Sequence, residues 1–283
     1  MEQGKLYLCA TPIGNLEDIT FRVVRTLKEV DLIAAEDTRH SIKLLNHFDI
    51  KTPMTSYHEF NKIDKAKVLV DKLLEGTNIA LVTDAGTPGV SDPGEELVRQ
   101  AVQAGIEVTS LPGAVACVTA LTISGLSTRR FAFEAFLPHD KKDRVKILES
   151  LVNETRTIIM YEAPHRLKKT LVLLKEYLGD RHIAICKELT KMHENAYRTT
   201  IDKAIAHYEK NEPKGEFVLV IEGRSFEELE QEEIAKLEEI SIYDHYLKVM
   251  ESGIDGKEAM KIVAKERGIS KREVYAEVLE HKE

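Results

Sequence analysis

Apolar residues follow two alternating rhythms along much of the chain. Short unbroken apolar runs of strand length are separated by stretches in which apolar positions recur every three or four residues. Leu6–Ala10 reads as a buried strand. The loop TPIGNLED follows, then a helix with Val23, Val24, Leu27 and Val30 on one face. Leu32–Ala35 is the next strand and ends at Glu36 and Asp37. A helix from about Asn61 turns Ile63, Ala66, Leu69, Val70, Leu73 and Leu74 inward, and Gly76 closes it. Ile79–Val82 is a further strand, followed by DAGTPGVSDPG. Pro93 is placed to open a helix in its first turn, Gly105 to end it, and Ile106–Ser110 to form a strand running into Leu111-Pro112-Gly113. Repeated strand, loop and helix predict a mainly parallel sheet covered by helices.

A second α/β unit starts near Gly125, with strands at Phe131–Leu137, Thr157–Tyr161, Ile183–Cys186 and Phe217–Ile221. Its helices fall near 140–153, 164–178 and 202–210. The less regular spacing predicts a mixed sheet. Between Ser225 and Ile240 stand seven glutamates and one lysine, the composition of a solvated helical linker. Beyond it, Asp255 with Glu258 and Ser270 with Glu273 spell two capping boxes. The first helix turns Ala259, Ile262 and Val263 inward and ends at Gly268; the second buries Val274, Val278 and Leu279. The pair resembles a helix-turn-helix. The expected organisation is an α/β chain: one α/β domain over 1–124, a second over 125–224, an acidic linker over 225–240 and a small helical module over 241–283.

Composition leaves this picture in place and narrows the class. Hydrophobic residues make up 43% and charged residues 31%, as in globular proteins generally. Cys9, Cys117 and Cys186 lie far apart in apolar stretches, which suits buried thiols in a reducing, cytoplasmic setting rather than disulfides or a metal site. No apolar run reaches membrane-spanning length, and the first residues lack a signal-peptide pattern. The net charge of −8 weighs against an indiscriminate nucleic-acid binder, although a local basic face can still meet phosphate.

Ligands of open α/β sheets bind at the carboxyl ends of the strands. Four such ends carry unusual loops here: ATPIGN (10–15), AEDTRHS (35–41), TDAGTPGVSDPG (83–94) and LPGAVACVTA (111–120). Gly/Pro turns are common at strand ends, so one loop alone says little; four on one edge point to a site. The chain has no G-x-G-x-x-G, no P-loop, no zinc-protease helix and no nucleophile elbow.

ATPIGNLEDIT, AEDTRHS, VTDAGTPGVSDPG, LPGAVACVTALTISGL and YEAPHRL, in this order, resemble the ribosomal small-subunit methyltransferase I family. Its members are 16S rRNA cytidine 2′-O-methyltransferases of the tetrapyrrole-methylase superfamily, the class III methyltransferases that use S-adenosylmethionine (SAM). The likeness covers about Lys5 to Gly223, and the C-terminal helices resemble that family's small extension. It implies two α/β domains with SAM in the cleft between them, a homodimer, 16S rRNA within the small ribosomal subunit as partner, and no metal or membrane. By the resemblance, Asp84, Ala85, Gly86, Thr87 and Pro88 form the cofactor loop. Pro112, Gly113 and Ala114 line its other side, and Tyr161, Glu162, Gly215 and Glu216 complete the pocket. Pro12 and Gly14 face the substrate.

A ribose hydroxyl is a poor acid, so a general base would help its methylation. Glu36, Asp37, Glu59 and Glu188 are candidates. Glu36, Asp37 and Arg39 are preferred as catalytic because they cluster at one strand end. Lys62, Lys187 and Lys191, with Arg39 and Arg166, are candidate phosphate contacts, and the aromatics of Tyr57-His58-Glu59-Phe60, Tyr57 first, are candidates to stack a base or, on an equal footing, to pack under the loop. Lys257, Lys261, Lys265, Lys271 and Arg272 offer charge on the C-terminal helices, yet from Ser241 onward eight Lys/Arg stand against nine Asp/Glu. For any single charged residue a solvated surface role is at least as plain a reading. Two other functions fit the same pattern: a methyltransferase for a porphyrin-like small molecule, and a non-enzymatic RNA-binding module on the same fold.

Overall fold

The computed structural model describes residues 2–281; the first residue of the 1–124 domain and the last two of the 241–283 module lie outside them. The strands of the first sheet are β1 (Leu6–Cys9), β2 (Leu32–Ala35), β3 (Met54–Ser56), β4 (Ile79–Val82) and β5 (Val108–Leu111). Between them run α1 (Phe21–Glu29), α2 (Thr38–His47), α3 (Lys62–Leu74) and α4 (Gly94–Gln103). Strand order is β3-β2-β4-β1-β5, and every pairing is parallel. All loops that follow the strands therefore gather at one edge. The near-continuous apolar strands are those of a sheet covered on both faces, and two clusters of buried side chains pack its two sides.

The chain then forms α5 (Ala116–Ser124), β6 (Phe131–Phe136), α6 (Lys141–Ser150), β7 (Thr157–Glu162), α7 (Pro164–Leu178), β8 (His182–Lys187), β9 (Asn195–Thr200), α8 (Ile201–Lys210) and β10 (Phe217–Ile221). The second sheet has the order β6-β7-β10-β8-β9 and is mixed, as its spacing predicts: β6 and β7 are parallel, the remaining pairs antiparallel. Both sheets belong to one compact unit, residues up to Leu151 with Arg156–Glu222. Cys117, Ala120 and Leu121 of α5 pack with Ile159, Ala184, Cys186 and Val220 of the second sheet. The changeover between sheets thus falls before α5, not after residue 124. All three cysteines are buried free thiols.

The second compact unit is Val152–Thr155 with the chain from Gly223 onward. Its helices are α9 (Phe226–Glu238), α10 (Ile242–Glu251), α11 (Gly256–Glu266) and α12 (Lys271–Glu280). The acidic stretch is the helix α9, started by a capping box of Ser225 and Glu228. Tyr246, Ala259, Val263, Ala264, Val274 and Val278 form the core of the other three helices. The capping box at Ser270 and Glu273 is present, whereas Asp255 makes no side-chain cap bond. Leu279 is largely exposed rather than inward. No helix among the described residues is long and apolar enough to cross a membrane.

Three further differences from the sequence pattern concern the site. AEDTRHS is not a loop throughout, since α2 begins at Thr38. Pro93 is the N-cap of α4, one residue ahead of the position expected. Along α3, Ile63 and Leu74 face solvent while Ala66, Leu69, Val70 and Leu73 are buried.

Candidate active site

A cleft of about 560 Å³ opens at the loop edge of the first sheet. Ile13, Glu36, Asp84–Thr87 and Val90–Asp92 line it from the first sheet, with Val115 and Ala116 from the start of α5. Phe136, Tyr161–Pro164, Leu189 and Glu216–Val218 line it from the second. Parallel pairing brings the ends of β1, β2 and β4 side by side, and hydrogen bonds fix their loops. Thr11 and Gly86 exchange two backbone bonds, Thr11 N–H to Gly86 O at 2.8 Å and Gly86 N–H to Thr11 O at 3.1 Å. The buried Thr11 hydroxyl also donates to Thr83 O at 3.1 Å.

Gly86 has φ +88°, a conformation costly for other residues, and a Cβ there would lie 3.3 Å from Ile13 Cγ2. The Thr87 hydroxyl donates to Ala114 O at 3.0 Å, joining the 84–87 loop to the segment before α5. Asp92 accepts from Gly89 N–H at 2.9 Å and from Gly94 N–H at 2.7 Å, closing the loop on itself. Burial raises the Asp92 carboxyl above its usual range.

Glu36 accepts from the Thr83 hydroxyl at 2.5 Å, and Asp84 accepts from Asp37 N–H at 3.2 Å. Burial, then the neighbouring Glu36, raise the Asp84 carboxyl. The Glu36 charge thus makes the Asp84 carboxylate a stronger proton acceptor than an isolated one. Tyr161 accepts from Cys117 N–H at 3.2 Å, which ties β7 to the first turn of α5. Glu162 is buried, accepting from Thr170 at 2.5 Å and Ala163 N–H at 2.8 Å with Arg166 Nε 3.4 Å away.

Of the residues singled out in the sequence, the cleft takes in Glu36, Asp84, Ala85, Gly86, Thr87, Tyr161, Glu162 and Glu216. Ala114 supports it through Thr87. Pro88 is buried beneath the loop, and Pro112 and Gly113 are exposed outside the lining. Pro12 and Gly14 flank the lining residue Ile13, and Gly215 precedes Glu216.

The remaining candidates lie outside this lining. Asp37 is the N-cap of α2, accepting from Arg39 N–H, and its hydrogen bonds from Arg39 hold its carboxyl at about 2, too low for an effective base. Arg39 pairs with Asp37 at 2.8 Å and does not line the cleft. Tyr57 cannot stack a base, being 1% exposed with its hydroxyl donating to Pro93 O at 2.8 Å. Its neighbour Phe60 is the exposed ring, at 98%. Lys191 is bound to Glu188 at 3.1 Å and Glu216 at 2.9 Å, so its ammonium already has partners. Lys62 pairs with Glu59 at 2.5 Å, and Lys187 is half-buried at the end of β8.

The sequence reading passed over Thr11, Thr83 and Asp92, and the apolar wall of Ile13, Phe136, Leu189 and Val218. Asp92 had a signal, an acidic residue between glycines in a turn. The wall residues had none, because apolar positions at strand ends read as core.

The cleft fits SAM on its own chemistry. Its carboxylates suit the positive sulfonium and ammonium groups. The N-cap of α5, Val115, makes no side-chain cap bond, and the first-turn N–H groups other than that of Cys117 suit a carboxylate. The apolar wall suits an adenine and a thioether chain. Among the described residues no group of three or more His, Cys, Asp or Glu could hold a metal ion.

Residues 5–205 match the model of the tetrapyrrole (corrin/porphyrin) methylases. A ribosomal RNA small subunit methyltransferase I of Halalkalibacterium halodurans is 51% identical over 97% of this chain and 94% of that protein. Its namesake from Synechocystis is 49% identical over 98% of both. The crystal structure of uroporphyrin-III-C-methyltransferase from Thermus thermophilus superposes with a TM-score of 0.55 at 21% identity, covering 77% of this chain and 94% of that one, and shares the fold. The chain therefore belongs to the tetrapyrrole methylase family and, within it, to the ribosomal RNA small subunit methyltransferase I family.

Proposed function

We propose that the protein methylates the 2′-hydroxyl of a cytidine ribose in 16S rRNA, with SAM as donor, acting in the cytoplasm on the small ribosomal subunit as a homodimer. The observation that carries this reading is the cleft itself. Lined by carboxylates and by an apolar wall, it is suited to a cationic, partly apolar cofactor, in a chain about half identical to proteins named for rRNA methylation.

When bound, SAM supplies an electrophilic methyl group on a sulfonium. The residues of the chain bind, orient and accept the proton. The 84–87 loop, the start of α5 and Tyr161 hold the cofactor. Glu36 and Asp84 stand where a ribose hydroxyl entering the cleft would meet them, and the pair takes up the proton that the hydroxyl loses. Fixed alignment of the reacting groups can supply about 7–11 kcal/mol of barrier reduction, so the rigidity of the hydrogen-bonded loops matters as much as the base.

The acidic lining repels phosphate, which keeps the RNA backbone at the rim and admits one nucleoside. Phe60 follows β3, in a loop held between the cleft-lining segments: Tyr57 N–H donates to Ala35 O at 2.8 Å and its hydroxyl to Pro93 O. An exposed ring there suits an unpaired base. Leu16, Phe21, Val24 and Phe48 line an apolar hollow beside α1, with Phe21 97% exposed, and this is the face we assign to the second copy. Light scattering that gives one chain per particle would remove the dimer. Methyl transfer itself is tested with tritiated SAM: label should enter the RNA of small subunits lacking the modification, and label appearing only in a porphyrin-like ring would replace this reading with small-molecule methylation.

A further inference from the structure

The loop after β8, Glu188–Glu194, has a backbone that its sequence does not favour. Glu188 has φ +51° and Thr190 φ +65°, the left-handed region, which a β-branched residue rarely enters. Such conformations persist where the surroundings enforce them, and they concentrate at functional sites.

The enforcing contacts centre on Glu188. Its N–H donates to Glu216 O at 3.0 Å, and its Oε1 accepts from Glu216 N–H at 2.9 Å. The same Oε1 accepts from Lys191 Nζ at 3.1 Å, and Lys191 also reaches Glu216 Oε2 at 2.9 Å. Gly215 makes room for this arrangement, since a Cβ there would lie 2.6 Å from the Glu188 carboxylate.

On its other side the loop presses on the turn after β1. A Cβ on Gly14 would lie 2.5 Å from Lys191 Cγ, 2.7 Å from Thr190 Oγ1 and 3.0 Å from Leu189 O. The Thr190 N–H donates to Glu194 at 2.5 Å, while its hydroxyl is buried without a partner. Ile13, Leu189 and Glu216, the neighbours of these contacts, all line the cleft.

We propose that Glu188 is a positioning residue, a latch that holds the β8–β9 loop against both the start of β10 and the Pro12–Gly14 turn, and so sets the wall of the cofactor cleft. This rests on the reading of the cleft as the SAM site. Glu188 was a candidate general base on sequence alone, but its oxygen is occupied by two donors. The Glu216 N–H bond, with help from Lys191, holds its carboxyl below the usual range, which disfavours proton uptake. Lys191, a candidate phosphate contact, becomes the tie between the carboxylates and the glycine turn.

The test uses the full-length protein, with SAM affinity measured by calorimetry and steady-state rates on small subunits. Glu188→Ala should weaken SAM binding at least tenfold and raise its KM, with kcat at saturating SAM changed less than threefold. Glu188→Gln keeps an oxygen that can accept from Glu216 N–H and should recover most of the affinity. Gly14→Ala, which leaves Glu188 intact but forces Lys191 and Thr190 aside, should reproduce the loss, and it decides the matter if Glu188→Ala folds poorly. Unchanged affinity in both Glu188→Ala and Gly14→Ala would overturn the latch. So would a fall in kcat at constant KM in both Glu188 variants, the signature of a base. Failure of the wild-type protein to bind SAM would instead withdraw the cofactor reading, and this inference with it.

Discussion

The Thr83 hydroxyl donates to Glu36 Oε2 at 2.5 Å, binding the ends of β4 and β2 together at the mouth of the cleft. The bond fixes Glu36 beside Asp84, whose carboxyl is raised by burial and by the Glu36 charge. Replacing Glu36 with Gln removes that charge, so the Asp84 pKa falls. A base works in its deprotonated form. The acid limb of the kcat/KM profile should therefore move to lower pH, and the plateau should drop as basicity is lost. A limb that stays in place in Glu36→Gln would show that the pair does not take the proton.

Gly86 carries the second prediction. Gly86→Val puts a β-branched residue at φ +88° and drives its side chain toward Ile13 and Ala114. SAM binding measured by calorimetry should be abolished while the circular dichroism spectrum keeps its shape. Binding at wild-type strength would move the cofactor away from this loop.

The third separates two aromatic neighbours. Phe60→Ala should lower turnover on RNA by about tenfold, in keeping with the ~1–3 kcal/mol of a base stacked on an aromatic ring, with SAM affinity unchanged. Tyr57→Phe removes the bond to Pro93 O and should cost about 1 kcal/mol of stability, read in a denaturant titration, with little effect on turnover at moderate temperature. Equal turnover in Phe60→Ala and wild type would end the stacking role.

These two residues also show how far the sequence could be read. Strong periodicity located β1, β2, β4, β10 and α7 within a residue or so, because the strands are largely buried and α7 buries one regular face, Leu167, Thr170, Leu171, Leu174 and Leu178. β3 and β9 escaped, being short or only half-buried. α2 escaped because its first residues are polar and its N-cap, Asp37, looked like chemistry. The loops that form the cleft were legible from their glycines and their shared edge. Which side chains enter it was not, since that depends on contacts far apart in the chain. Thr11 with Thr83, Gly14 with Lys191, and Gly215 with Glu188 leave no local trace.

The fourth prediction concerns the second compact unit. Its last three helices have their own core, and side-chain caps stand at Ser225, Ser241 and Ser270. Ending the chain before Ser241 should leave SAM affinity within about twofold and reduce methylation of small subunits by tenfold or more, an effect of about 1.4 kcal/mol or more. Parallel loss of SAM binding and turnover would make the helices a structural support for the catalytic body.

The most direct measurement follows the methyl group to its acceptor. Purified protein, tritiated SAM and small subunits from cells lacking this enzyme are incubated together, and the 16S rRNA is digested to nucleosides. The expected result is incorporation approaching one methyl per subunit, recovered as 2′-O-methylcytidine, and faster on subunits than on protein-free 16S rRNA at one salt concentration. An acidic chain has little general attraction for phosphate and must rely on the shape of a folded particle. Label on a base, or no incorporation by a protein that binds SAM, would contradict the account.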